Sequence, residues 1–272
     1  MTGGMYVNTS GIVLRETAYK DSSKILTVLT ATEGKLTVSA RGAMRKNSVL
    51  AASAQLLVFS EMTLFSGRDR WTLTEARSIE QFQGLRRDVA LLAIGSYFAE
   101  LTETVSDEDS PNPDILRLLL NALFALSEGL KPLDVIKPAF ELRIMSLAGL
   151  APLISHCAQC GSGDPEHVYL DAAAGTIYCA SHFNGGETAF ESGNPAGAPA
   201  GAGTADILRS NLAGLGRGAL AAARYVLSCD IKKIFSFSLG EDAVRELYMA
   251  MEKYLLTQLD RSFRTLDYFR KL

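Results

Sequence analysis

The chain has 272 residues, with 27 Lys and Arg against 30 Asp and Glu, 47% apolar residues and four cysteines. These proportions exclude a disordered, collagenous or disulfide-stapled chain and leave room for two modest domains, each with its own core. Apolar runs such as Val89 to Ile94 and Leu118 to Leu120 fall short of the roughly 18 residues a membrane span needs, and Met1 to Ser10 lacks a basic patch followed by an apolar stretch, so a cytoplasmic protein is predicted.

Met1 to Gly4 reads as an unstructured leader. From Tyr6 to Ile79 the residues group into strands at about 6–17, 24–31, 34–41, 55–66 and 70–79, and five strands at this spacing suggest a small barrel. The third shows the period best: Leu36, Val38 and Ala40 alternate with Lys35, Thr37, Ser39 and Arg41, so Lys35 and Arg41 share a polar face. Glu33-Gly34 signals a tight turn, because glycine accepts positive φ without a side-chain clash. Gly42 to Ala54, carrying Arg45 and Lys46, reads as a longer loop or short helix.

After Phe82 the period becomes helical. Leu85, Val89, Leu92, Phe98, Leu101 and Val105 line one stripe that ends at the acidic run Asp107 to Asp109. A second helix is capped by Asn112, starts with Pro113 and closes at Gly129. A third runs from Pro132 to Gly149, with Pro138 expected to kink it. Leu208 to Ser228 and Asp242 to Leu259 also read as helices, the latter opened by a capping box from Ser238 to Glu241. Between them, Ile154 to Phe183 lacks helical period, and Glu191 to Thr204, rich in Gly, Ala and Pro, reads as a flexible loop. The boundaries drawn are 1–80 for a barrel domain and 81–272 for a helical domain, which carries an insertion at 154–183 and the loop at 191–204.

Charge is unevenly spread. Residues 1–80 hold ten basic and seven acidic side chains, the remainder 17 and 23. A basic barrel joined to an acidic module suggests a nucleic-acid partner for the barrel, with phosphates along a groove of Lys24, Lys35, Arg41, Arg45, Lys46, Arg68 and Arg70. Tyr6, Tyr19 and Trp71 are candidates for base stacking, although Trp71 alternates with polar neighbours and is expected to point into the core.

The sharpest motif is Cys157-Ala-Gln-Cys160, an 18-residue gap, then Cys179-Ala-Ser-His182. Two ligands two residues apart on a knuckle converge on one ion, and two knuckles complete the tetrahedron of a zinc site. Val168 to Leu170 and Thr176 to Tyr178 are expected to form a hairpin that sets the knuckles side by side. His156 is a rival ligand that breaks the spacing. His167 is expected in the hairpin loop, solvated, and Cys229 as a small core residue. Four protein ligands close the coordination shell, which favours one structural zinc over a catalytic one. The H-x-E and P-C-x-x-C pair of zinc deaminases, H-E-x-x-H, a Walker loop and G-x-S-x-G are absent. Gly214-Leu-Gly216-Arg-Gly218 reads as a helix-breaking segment.

The order of parts resembles the bacterial recombination-mediator RecO family. The likeness is carried by Gly11-Ile-Val-Leu-Arg15, Tyr19-Lys-Asp-Ser-Ser-Lys24, Gly34-Lys35, Arg41-Gly-Ala-Met-Arg-Lys46, Gln83-Gly-Leu-Arg86, Phe140-Glu-Leu-Arg143, Leu147-Ala-Gly149 and Pro152. The resemblance implies an α+β protein: an N-terminal five-stranded OB-fold barrel, then a mainly α-helical domain carrying a small zinc-ribbon insertion. It also implies a non-enzymatic mediator that binds single- and double-stranded DNA and anneals complementary strands. Implied partners are RecR, the acidic tail of single-strand-binding protein and, functionally, RecA at the nucleoid. The tail would need an apolar groove flanked by arginine, for which Arg86 and Arg143 are the candidates. His182 stands where the family usually has a fourth cysteine. A zinc-dependent hydrolase acting on nucleic acid and a protein-only adaptor are the alternative readings.

Overall fold

A computed structural model describes residues 4–67, 70–182 and 211–272. The chain divides into two compact units, Met1–Pro132 with Ser262–Leu272, and Leu133–Arg261.

The first unit opens with a closed barrel of β1 (Met5–Tyr19), β2 (Ser23–Thr30), β3 (Lys35–Ala40), β4 (Phe59–Gly67) and β5 (Arg70–Glu80), ordered β1-β2-β3-β5-β4. This is the OB-fold arrangement. β1 is long enough to serve two neighbours: Met5 to Ile12 pair with β4, Gly11 to Tyr19 with β2, and an irregularity between Val13 and Arg15 lets the strand bend from one to the other. The ring closes where β3 meets β5 in parallel, through Val38↔Trp71 and Ser39↔Thr72. The alternation expected in β3 holds, because Leu36, Val38 and Ala40 are buried with Val13, Leu26, Val28, Met62, Leu64 and Leu73. Residues 41–58 are a run of turns rather than a helix, and Ala43, Leu50 and Ala54 from it join the barrel core.

Gly34 has φ +72°, and a Cβ there would lie 2.5 Å from the Ser110 backbone nitrogen, so both conformation and space demand glycine. A short 3-10 turn, Gln83–Arg87, leads into α1 (Val89–Val105), where Asp88 accepts from the Ala90 N–H at 2.7 Å. In α2 (Pro113–Ser127) the cap forms as expected, with Asn112 Oδ1 accepting from the Ile115 N–H at 3.2 Å, and Gly129 ends it at φ +62°.

In the second unit α3 (Leu133–Leu147) continues through Pro138 as one helix. A four-stranded sheet follows, ordered β6-β8-β7-β9, from β6 (Leu153–Cys157), β7 (His167–Asp171), β8 (Thr176–Cys179) and β9 (Leu212–Gly216). Two helices complete the unit, α4 (Arg217–Ser228) and α5 (Glu241–Leu259), and a last one, α6 (Arg264–Phe269), belongs to the first unit. The expected helix at 208–228 is thus corrected: Leu212 to Gly216 pair antiparallel with β7, and the helix begins only at Arg217. Glycine at 214 and 216 removes the helical preference, and pairing supplies the missing backbone bonds. The capping box from Ser238 to Glu241 does not form either, since Gly240 is the N-cap and no side chain bonds there. The expected loop at 191–204 and residues 1–3 of the leader lie outside the described residues. Among the described residues no helix is long and apolar enough to cross a membrane.

One charged cluster is buried in this unit. Lys137 on α3, fully enclosed, reaches Glu141 Oε1 at 2.7 Å and Glu252 Oε2 at 2.6 Å, with its ammonium 4.1 Å from the centre of the Tyr248 ring.

Candidate metal centre and nucleic-acid surface

Cys157 ends β6 and Cys179 ends β8, and these two strands run parallel, with Leu153 beside Thr176 and Cys157 beside Ile177. The expected hairpin of β7 and β8 forms. The parallel neighbour β6 is what brings the first knuckle alongside the second, a relation no local pattern announces. Gly161, at φ +73°, turns the first knuckle back so that its N–H reaches the Cys157 carbonyl at 2.9 Å.

As a result the three sulfurs of Cys157, Cys160 and Cys179 and one His182 nitrogen lie within 4.8 Å of one another. Cys160 Sγ and Cys179 Sγ are 3.8 Å apart, and Cys179 Sγ is 3.1 Å from His182 Nδ1. A tetrahedral zinc with Zn–S bonds of about 2.3 Å sets its sulfurs about 3.8 Å apart, so these residues fit a bound ion. His156 is outside the cluster, its Nδ1 2.8 Å from Ser155 Oγ.

Burial, the largest influence, pushes the Cys157 thiol up, yet the N–H groups of Cys179, Cys160 and Gln159 outweigh it and bring the pKa down to about 6. The Cys179 N–H makes its contact with Cys157 Sγ at 3.3 Å. Cys179 is shifted upward, by burial first and then by the neighbouring Cys157 sulfur. The geometry of the four donors is what makes the cluster able to hold a metal ion. His167 is not in the hairpin loop but is the first residue of β7, exposed and opposite Gly216. Cys229 is half-buried at the end of α4 rather than a core residue.

On the barrel the predicted basic residues part into two groups. Lys24 bonds Glu16 and the Ala54 carbonyl, the latter at 3.0 Å, and Lys35 donates to the Glu103 carbonyl at 2.9 Å, so the face that Lys35 was expected to share with Arg41 is split. Arg41, Arg45, Lys46 and Arg70 are exposed and have no ion pair among the described residues. Arg68 lies outside the described residues. Of the stacking candidates, Tyr6 and Tyr19 are exposed, whereas Trp71 packs half-buried against the barrel core, as its alternation suggests.

The two arginines named for a protein partner are differently placed. Arg86 is exposed and donates to the Leu56 carbonyl at 2.9 Å. Arg143 instead closes the C-terminus of α4: Nη1 donates to the carbonyls of Val226 at 3.1 Å and Leu227 at 2.5 Å, and Nη2 to Cys229 at 3.1 Å. Its fork thus satisfies carbonyls that the helix end leaves open. Neither the Arg143 cap nor the Lys137 cluster was singled out from sequence. An i, i+4 Lys–Glu pair flanked by Val135, Ile136, Ala139, Phe140, Leu142 and Ile144 was the available sign of the second.

Comparison with known proteins places both halves in one family. The model for the Recombination protein O N terminal matches residues 5–82, and that for the Recombination protein O C terminal matches residues 86–267. The chain is similar to a DNA repair protein RecO from Acetivibrio thermocellus, 28% identical over 268 residues that cover 98% of this chain and 97% of the relative. A RecO of Caldicellulosiruptor bescii is 28% identical across 97% of this chain and 98% of its own. One from Bacillus subtilis is 36% identical over 160 residues, 59% of this chain and 62% of the relative.

Proposed function

The chain belongs to the RecO family of DNA repair and recombination proteins, and from that membership we propose that it binds single- and double-stranded DNA, anneals complementary strands and, with RecR, helps RecA load onto DNA coated by single-strand-binding protein. The family is a non-enzymatic mediator, which needs basic surface to hold two like-charged strands together but no group to break bonds.

One observation carries the reading. Arg41, Arg45 and Lys46 stand exposed on the loop leaving β3, with no ion pair among the described residues, while Lys24, Arg15 and Arg77 on the same barrel are paired with acids. The three cations on that loop supply the phosphate contacts that release condensed counterions, and Arg70 extends the surface, whereas Lys24 and Lys35 are engaged by Glu16 and by the Ala54 and Glu103 carbonyls. Arg68 joins it on its place in the sequence alone. Residues 1–80 are the DNA-binding domain in this reading, and 81–272 receive the protein partners in the cytoplasm. Arg86 is the better candidate for the acidic tail, because the fork of Arg143 is occupied. The ion held by Cys157, Cys160, Cys179 and His182 is one zinc, and its role is structural, since four protein donors leave no position for substrate.

The test is annealing of complementary strands already coated with single-strand-binding protein, without nucleotide. The wild type accelerates annealing and cuts neither strand. The variant Arg41→Glu, Arg45→Glu, Lys46→Glu slows it, and the slope of log affinity against log salt on a single strand falls by about 0.7 per lost contact. An unchanged slope in a folded variant would move the DNA surface elsewhere. Shortened strands would overturn the mediator reading.

A further inference from the structure

Resting on the DNA-binding reading above, we propose that Tyr6 and Phe65 form a stacking platform for the bases of single-stranded DNA, with Arg70 beside it for the adjoining phosphate. Tyr6 on β1 is opposite Phe65 on β4, and Phe65 is opposite Thr72 on β5, so the three share one rung of the barrel's outer face. Their inward neighbours are Leu64 and Leu73, both buried in the core. The two rings meet at 5.0 Å between centroids and 54°, and Tyr6 remains 66% exposed.

The backbone makes room for them. A Cβ at Gly4 would lie 2.1 Å from Phe65 Cζ, and one at Gly67 would lie 2.9 Å from Phe65 Cε1. Glycine at both positions therefore lets the Phe65 ring lie over the strand ends and carry Tyr6. A supported, exposed aromatic surface accepts any base, because every base has a π-face.

Charge fixes which way the strand lies. Arg70, exposed and without an ion pair among the described residues, is opposite Gly67, two residues and about 6.8 Å along the strand from the Phe65 rung on the same face. On the other side the face opens into a groove of about 620 Å³ whose lining includes Asn8, Thr32, Thr63, Glu61, Glu75 and Arg77. Its two carboxylates against one guanidinium make a poor track for phosphate. Thr63 donates to Asn8 Oδ1 at 3.0 Å, which leaves the Asn8 amide NH₂ as a donor for a base edge. The phosphates therefore pass on the Arg70 side and the bases point toward the groove.

Titration of a fluorescein-labelled thymidine oligonucleotide and of a duplex of equal length, each at two salt concentrations with the full chain, tests this. Tyr6→Ala binds the single strand about 5- to 150-fold more weakly. Its duplex affinity and its salt slope stay as in the wild type, because no charge is removed and paired bases offer no free face. Tyr6→Trp restores binding, and its added emission is quenched by the oligonucleotide. Phe65→Leu, which keeps an apolar support but removes the ring, falls between. Wild-type single-strand affinity in Tyr6→Ala, or equal loss on single strand and duplex, overturns the platform alone. If the wild type binds neither nucleic acid, the DNA-binding reading fails first and the platform with it.

Discussion

Replacing Lys137 by Met removes the ammonium that lies between Glu141 and Glu252. Lys137 and Glu141 have no exposed side-chain surface and Glu252 keeps 18%, so water reaches Glu252 but cannot replace the ammonium at Glu141. Removing one member of a buried ion pair leaves an uncompensated charge and costs about 3–5 kcal/mol, far above the value of an exposed pair. With a urea slope of about 2 kcal/mol per molar, the unfolding midpoint should fall by roughly 2 M. The double variant Lys137→Met, Glu141→Gln should recover most of that loss, which separates stranded charge from lost volume. The pH response carries a sign. Burial presses the Lys137 pKa down, but Glu141 and Glu252 together outweigh it and hold the value above the ordinary 10.5. A raised folded pKa stabilises fully below the unfolded value near 10.5 and is lost as pH climbs through the folded one, so wild-type stability is indifferent to this group across about pH 6–9. Urea titrations of the three proteins at pH 7 and pH 10.5 decide the matter. A loss under about 1 kcal/mol for Lys137→Met, or no recovery in the double variant, would refute the reasoning.

Elemental analysis of the purified chain should find about one zinc, lost in Cys160→Ser, Cys179→Ser or His182→Ala and retained in His156→Ala; release by the last would show that the wrong histidine has been assigned. Gly34→Ala should lower stability by about 1–3 kcal/mol in thermal melts, because the new Cβ needs both a left-handed backbone and the space taken by Ser110. Its melting temperature would have to match the wild type for that account to fail.

The parts legible in the sequence were those written in local pattern. Alternation in Lys35 to Arg41, the Asn112 and Pro113 start of α2 and the cysteine spacing each act within a few residues, and all three have their structural counterpart. What local pattern could not carry was determined at a distance. Leu212 to Gly216 is a strand because β7, more than forty residues earlier, offers it a partner. Arg143 reads as a surface charge until the end of α4, more than eighty residues later, brings three carbonyls to it. Lys35 sits on the polar side of its strand, yet the Glu103 carbonyl takes its ammonium out of the open face. Side-chain charge is visible in sequence; what neutralises or engages it depends on tertiary neighbours.

The barrel's closure is lopsided. Eight residue pairs join β1 to β4, but two pairs close the ring between β3 and β5. Local opening tends to start where backbone pairing is thinnest, so that seam is the expected first point of opening. β3 ends at Ala40, directly before Arg41, so the loop that bears Arg41, Arg45 and Lys46 hangs from the strand at the weaker joint. The surface proposed for DNA is in this sense the one hung from the weaker joint, while β1 and β4 hold the opposite side of the ring through eight pairs.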